Sequence, residues 1–214
     1  MIIDLAGDAS SSSCSSGRLP PSTSATGGYL LQDPALQQPE GQSLNDFLQQ
    51  VIAGVTGIRG DMVRPRWQPE PPNLPDFGSN WFAFGITRRK KDTFAYERHL
   101  GDENGTSEII RNEELELLIS FYGNDADFNA SAFSEGIQIE QNREALQEAG
   151  IGVIETGDIT PLPVMVKERW WYRVDMPWGL RRQIRRKYPI LNILTAGIIL
   201  YTDVGITETI NVSQ

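Results

Sequence analysis

The side chains that could do chemistry in this chain are few and scattered. Its one histidine, His99, sits in the polar run YERHLGDENG, with no second histidine and no cysteine nearby to complete a zinc site. The default reading is a surface residue. A general-acid/base pair needs two carboxylates that converge in a buried place. The carboxylates of EELEL alternate along a strand-like run, and those of IEQNREALQEAG follow a helix surface, where solvated charge is the ordinary reading. The chain has no GxxxxGK[ST] phosphate loop, no GxGxxG after a strand and no GxSxG elbow. The residues therefore nominate no catalytic, cofactor-binding or metal-ligating group.

What stands out is sorted charge. Thr106 to Asp158 holds twelve acidic residues and two basic ones, whereas Lys167 to Lys187 holds eight basic and two acidic. Such runs can neutralise each other inside one molecule or simply face water. They can also form a heterologous contact, the acidic face of one subunit meeting a basic strand of the next, with rotation closing a ring. The candidate contact residues are Trp67, Trp81, Arg169, Arg173, Arg181, Arg182, Arg185 and Arg186, with Glu113, Glu114 and Glu116 as acidic partner or lumen residues. A basic segment with interleaved aromatics could instead touch nucleic acid through Arg181, Arg182, Arg185, Arg186 and Lys187. A formal charge of −9 and a pI near 4.7 put that reading second, because coating a polyanion calls for a basic surface.

The elements that must position these residues can be read from periodicity. The chain has 214 residues, 39% of them apolar, enough for one main domain with a real core. Residues 1–42 are rich in Ser, Thr, Gly, Pro and Gln and read as a disordered or extended tail. The only cysteine, Cys14, lies in that tail, so no intramolecular disulfide is expected, which fits a reducing compartment. The start MIIDLAGDASSSS does not read as a secretory signal, and the longest apolar run, ILNILTAGIILY, is too short to span a bilayer. A soluble protein with no membrane partner is expected.

The folded domain is expected over residues 43–214. Leu44, Phe47, Leu48, Val51, Ile52 and Val55 form one helical face; Ser43 and Asp46 follow a capping-box pattern, and Gly57 suits the stop. Residues 64–80 then read as an extended arm, because prolines at 65, 69, 71, 72 and 75 forbid helix while the aromatics in and just after it argue against a free linker. Runs around Trp81–Arg88 and Thr93–Arg98 suggest a hairpin turning at RRKKD. EELELLISFYG alternates as a strand with Glu113, Leu115, Leu117, Ile119 and Phe121 on one side. DADFNASAFSEGIQIEQNREALQEAG reads as one second helix, capped by Asn124 or Asp125 and ended by Gly150, with Phe128 and Ile139 in its apolar stripe.

From Val166 to Tyr188 a period of two runs on for about 75 Å at roughly 3.3 Å per residue, so the segment should bend at Pro177–Gly179 or project from the body. One or two closing strands follow. The sum is an α+β domain: a mostly antiparallel sheet with two helices packed on one side and a long amphipathic β segment.

In that order, LNDFLQQVIAGVTG, RPRWQPEPPNLPDFGSNWFAFGI, EELELLISFYG, IQIEQNREALQEAGI and VKERWWYRVDMPWGLRRQIRRKYPILN, the chain resembles the neck or tail-terminator proteins of tailed bacteriophages. The resemblance covers residues 43 to about 200. It implies a non-enzymatic virion protein, assembled in the host cytoplasm. It also implies an α+β ring, commonly a hexamer, that caps the tail tube and docks the head connector around a channel through which DNA passes without specific binding. The partners so implied are further copies of the chain, a head-tail connector or adaptor, and the tail tube protein. A different head-tail adaptor or a tube protein is the nearest alternative. An acidic lumen would let DNA slide without sticking.

Overall fold

The computed structural model describes residues 29–34, 38–70, 72–101, 105–190, 195–201 and 207–213. The expected tail therefore lies mostly outside the described residues.

The first helix forms as its apolar period dictates. α1 (Gln42–Thr56) buries Leu44, Leu48, Val51 and Ile52, and ends at Gly57 in the left-handed conformation. Its start differs from the expectation. Gly41 is the N-cap, and Ser43, two residues past it and already inside the helix, bonds the backbone of Glu40 instead. A short 3-10 turn (Gly60–Met62) leads into β1 (Val63–Pro65), which lies parallel to β2 (Trp81–Lys91).

The expected hairpin is not formed. β2 and β3 (Tyr96–Leu100) do not pair with each other; both lie antiparallel on β4 (Thr106–Tyr122), one after the other. The reason is electrostatic and geometric. The RRKK run, which looked like a turn, pairs across the strands with the EELEL acids: Arg88 with Glu116, Lys90 with Glu114 and Lys91 with Glu113. β4, with 17 residues, is long enough to seat both partners. Asp92, in the gap between them, accepts hydrogen bonds from the backbone and side chain of Asn112.

The expected second helix is two helices. α2 (Ala126–Gly136) stops at Gly136, Ile137 is buried, Ile139 is exposed with extended backbone, and α3 (Glu140–Glu148) begins after it. Asn142 holds the corner through a bond to the Gly136 carbonyl. The mostly antiparallel sheet thus carries three helices on one side, not two. Phe128, expected in the buried stripe, is 73% exposed.

β5 (Ile151–Thr156), β6 (Thr160–Pro161) and the small hairpin of β7 (Val164–Val166) with β8 (Arg169–Trp171) precede β9 (Arg173–Pro189). The long amphipathic segment is interrupted at Lys167–Glu168, both with positive φ, while β9 continues as strand through Pro177–Gly179. Pro177 is tolerated within β9 because a residue's N–H and C=O point to the same side of a strand. Its carbonyl accepts from Gly157, so the missing donor falls in the gap between β5 and β6, where no ladder bond is lost.

The sheet order is β1-β2-β4-β9-β5, with β3 on β4 and β6 on β9. β10 (Thr195–Tyr201) and β11 (Thr207–Ser213) form a separate antiparallel pair, the expected closing strands. The core lies between the sheet and the helices. It includes Phe82, Phe84, Ile119, Phe121, Met176, Trp178 and Leu180 from the strands, with Leu48, Ile52, Phe133 and Leu146 from the helices. Phe121, Phe133 and Trp178 contact in series, the last two edge-to-face at 5.1 Å. Each such burial contributes about 1.5–3 kcal/mol. The period of two is what assigns the faces: Leu115, Leu117, Ile119 and Phe121 point to the helices, leaving Glu114, Glu116, Leu118, Ser120 and Tyr122 on the face that none of the described helices covers.

Candidate functional site

The helix-free face is built by β1, β2, β4 and β9 together with the proline-rich arm. Arg66 donates its backbone N–H to Phe84, extending the β1 pairing by one residue. The chain then leaves the sheet through Trp67, whose φ of 58° swings its ring back over Gly85. A Cβ on Gly85 would lie 2.6 Å from the indole, so the glycine is what lets the aromatic lie flat on the strand. The arm is anchored by Arg64, which donates to the carbonyls of Asp61 and Asn73, and by Phe77, which packs edge-on against Trp171 at 5.7 Å. Trp67 itself remains 71% exposed.

Under the arm lies a polar chain. Arg66 donates to Ser120 Oγ, Ser120 donates to Asp175, and Asp175 receives both Nε and Nη2 of Arg173. Burial lowers the Arg66 guanidinium below its ordinary pKa, while the Asp175 hydrogen bond raises that of Arg173. One carboxylate therefore serves two guanidinium groups. Beside it Trp81 stacks on Tyr122 at 4.2 Å, with Arg64 over the first ring and Arg173 over the second.

Further along β9 the arginines alternate in role. Arg181 and Arg185 point to the helix-free face and are exposed; Arg185 donates to Gln183. Arg182 points inward, its Nε 2.8 Å from Glu113 Oε2, and both side chains are almost wholly buried. Arg182 Nη1 also donates to the Pro39 carbonyl, and Arg186 pairs with Glu40 at 2.6 Å. A strap N-terminal to α1 is thus tied to β9, with Asp33 adding a backbone bond to Lys187. Glu114 and Glu116 stay at the surface beside Lys90 and Arg88. Arg169 lies over the Phe77 ring at 5.5 Å, beside the β7–β8 hairpin where Met165 and Trp170 are exposed.

Of the residues singled out from sequence, the fold brings Trp67, Trp81 and Arg173 to one face, with Arg181 and Arg185 lower on it. It turns Arg182 and Glu113 into the subunit. Arg66, Ser120, Asp175 and the Pro39–Glu40 strap were not singled out. The signal for Ser120 and Asp175 was a polar residue at the same height of two apolar strands, visible only once their register is known.

The opposite surface is acidic. On α3, Glu140, Glu144 and Glu148 repeat every four residues on the side away from buried Leu146. On α2, Asp127 and Glu135 also face out, and the exposed Phe128 and Ile139 sit among these acids. His99 is exposed on β3. Among the described residues no group of three or more His, Cys, Asp or Glu side chains could hold a metal ion, and no helix is long and apolar enough to cross a membrane.

A family model described as phage neck terminator protein matches residues 42–204, from α1 into the strands after β9. Among curated proteins, none matches the chain.

Proposed function

From the chain's membership of the phage neck terminator family, which makes it a structural protein of the virion neck, we propose that it forms a ring that ends the tail tube. The ring, a hexamer in this reading, joins the tube to the head connector and surrounds the channel through which DNA passes. The observation that supports a ring-building role is the sheet face that none of the described helices covers. It carries an aromatic on a rigid glycine seat, Trp67 on Gly85, among guanidinium groups without a full set of counter-charges. Interfaces are enriched in this pairing of aromatic and arginine.

The contact residues in this reading are Trp67, Arg169, Arg181 and Arg185, which remain exposed, with Trp81 and Arg173 supporting them from below. Arg182, Arg186 and Glu113 hold the strap and the sheet together within the subunit. Glu114 and Glu116 are balanced by Lys90 and Arg88, which weakens their case as a bare acidic lumen. The same accounting weakens nucleic-acid binding through 181–187, since two of its five cations are already paired.

The test is tube growth. Tail tube protein polymerised with the chain present should stop at a defined length and carry the chain at one end in a fixed stoichiometry. Tubes that grow on unchanged, or that take up the chain along their length, count against a terminator and favour an adaptor or a tube subunit.

A further inference from the structure

The two faces of the domain carry opposite uncompensated charge, and they point in opposite directions. On the helix-free face, Arg64, Arg66, Arg181 and Arg185 have no carboxylate within ion-pair distance among the described residues; Glu114, opposite Arg181 in the register, pairs with Lys90 instead. Arg66 is half-buried, with Ser120 Oγ as the acceptor of its guanidinium. On the helix layer, Asp127, Glu135, Glu140, Glu144 and Glu148 form no ion pair among the described residues. The sheet lies between the two sets, so within one subunit they cannot meet.

The apolar groups match as well. Phe128 and Ile139 are exposed among the acids, and Trp67 is exposed among the arginines, giving each face an apolar centre and a charged surround. The dimensions agree. From Gly85, under Trp67, to Arg181 is four residues along the strands and two strands across, about 16 Å at 3.3 Å per residue and 4.8 Å per strand. α2, with 11 residues, is also about 16 Å long at 1.5 Å per residue.

We infer that the helix-free face binds the acidic α2–α3 face of a second copy of this chain. The contact is heterologous: each copy offers its helices to one neighbour and its sheet to the other, and rotation closes the ring. Incoming carboxylates pair with Arg181 and Arg185 and add to the charge of Asp175, which Arg66 shares with Arg173, and Phe128 meets Trp67. A net charge of −9 and the acidic helix layer repel a polyanion, so a short acidic protein surface fits this face better than nucleic acid does. This inference rests on the ring reading and says which surfaces build the ring.

The experiment exchanges the charges. One variant carries Arg181→Glu and Arg185→Glu; the other carries Glu140→Lys, Glu144→Lys and Glu148→Lys. All five positions are at exposed or edge positions of the full chain, and circular dichroism checks each fold. Ring formation is read by native mass spectrometry, alone and on tail tubes. Each variant alone should shift from ring to monomer, and a 1:1 mixture should restore the ring with the two variants alternating. A chain carrying all five changes should assemble on its own. Phe128→Ser, at an exposed side chain, should weaken the ring as well.

If each single-face variant still forms the wild-type ring, the ring reading survives and these surfaces are the wrong ones. If the wild-type chain forms no ring even on tubes, the ring reading itself fails. Salt-dependent DNA binding that Arg181→Glu with Arg185→Glu abolishes, while the ring persists, overturns the inference in favour of nucleic acid.

Discussion

Replacing Arg182 by methionine should be among the most damaging single changes in this chain, and the reason can be worked through. Arg182 Nε is 2.8 Å from Glu113 Oε2, and the two side chains are 3% and 0% exposed. Without the guanidinium, the buried Glu113 carboxylate keeps only Lys91, at 3.8 Å and half-exposed. Leaving one partner of a buried pair behind costs about 3–5 kcal/mol. The Pro39 carbonyl loses its donor too, which adds about 1 kcal/mol. With a urea slope of roughly 2–3 kcal/mol/M, the unfolding midpoint should fall by about 1.3–3 M. Removing both charges, Arg182→Met with Glu113→Leu, should recover most of that loss, because an apolar pair of similar volume leaves no orphaned charge. Hydrogen exchange should show residues 38–41 opening in either variant, since the strap is tied through Arg182. A single mutant that loses less than about 1 kcal/mol, or a double mutant as unstable as the single, would refute the reasoning.

The remaining predictions concern packing and the arm. Trp178→Ala removes a fully buried ring in contact with Phe133 and should cost about 3–5 kcal/mol in a denaturant titration. Gly123→Ala should lower stability by about 2 kcal/mol or more in thermal melts, since its φ is 111° and the new methyl would lie 2.6 Å from the Ser79 carbonyl. Gly85→Ala should change stability little, because the indole it meets can move, but should displace Trp67 and raise its accessibility to an acrylamide quencher. Phe94→Ser, at a side chain exposed in the gap between β2 and β3, should leave the unfolding free energy within about 0.5 kcal/mol of wild type.

α1 was legible because its apolar spacing and its stop at Gly57 are local signals. β4 was legible because a period of two assigned Leu115 to Phe121 to one face without knowing their partners. What escaped was pairing across the sequence. RRKK looks like a turn until the strand of glutamates that balances it lies alongside, and that partner follows some 25 residues later. The break after Gly136 was hidden because Ile137 and Ile139 continue a helical period that the chain does not follow.

The arginines of β9 show the same limit at the candidate site. Alternation sorts Arg181 from Arg182, but the register with β4 sets each opposite a glutamate, and only the fold shows that Arg182 keeps Glu113 while Lys90 takes Glu114 from Arg181. Sorted charge was visible in the sequence. That β4's acids are partly neutralised by β2, while the acids of α2 and α3 are not, is a property of the fold.

The central claim, a ring that ends the tail and meets the head, is tested most directly by imaging intact virions with the chain labelled at its N-terminus. Averaged electron micrographs of the neck should show one ring of the labelled chain between the connector and the tail tube. Label along the tube, on the capsid shell or absent from the particle would contradict it.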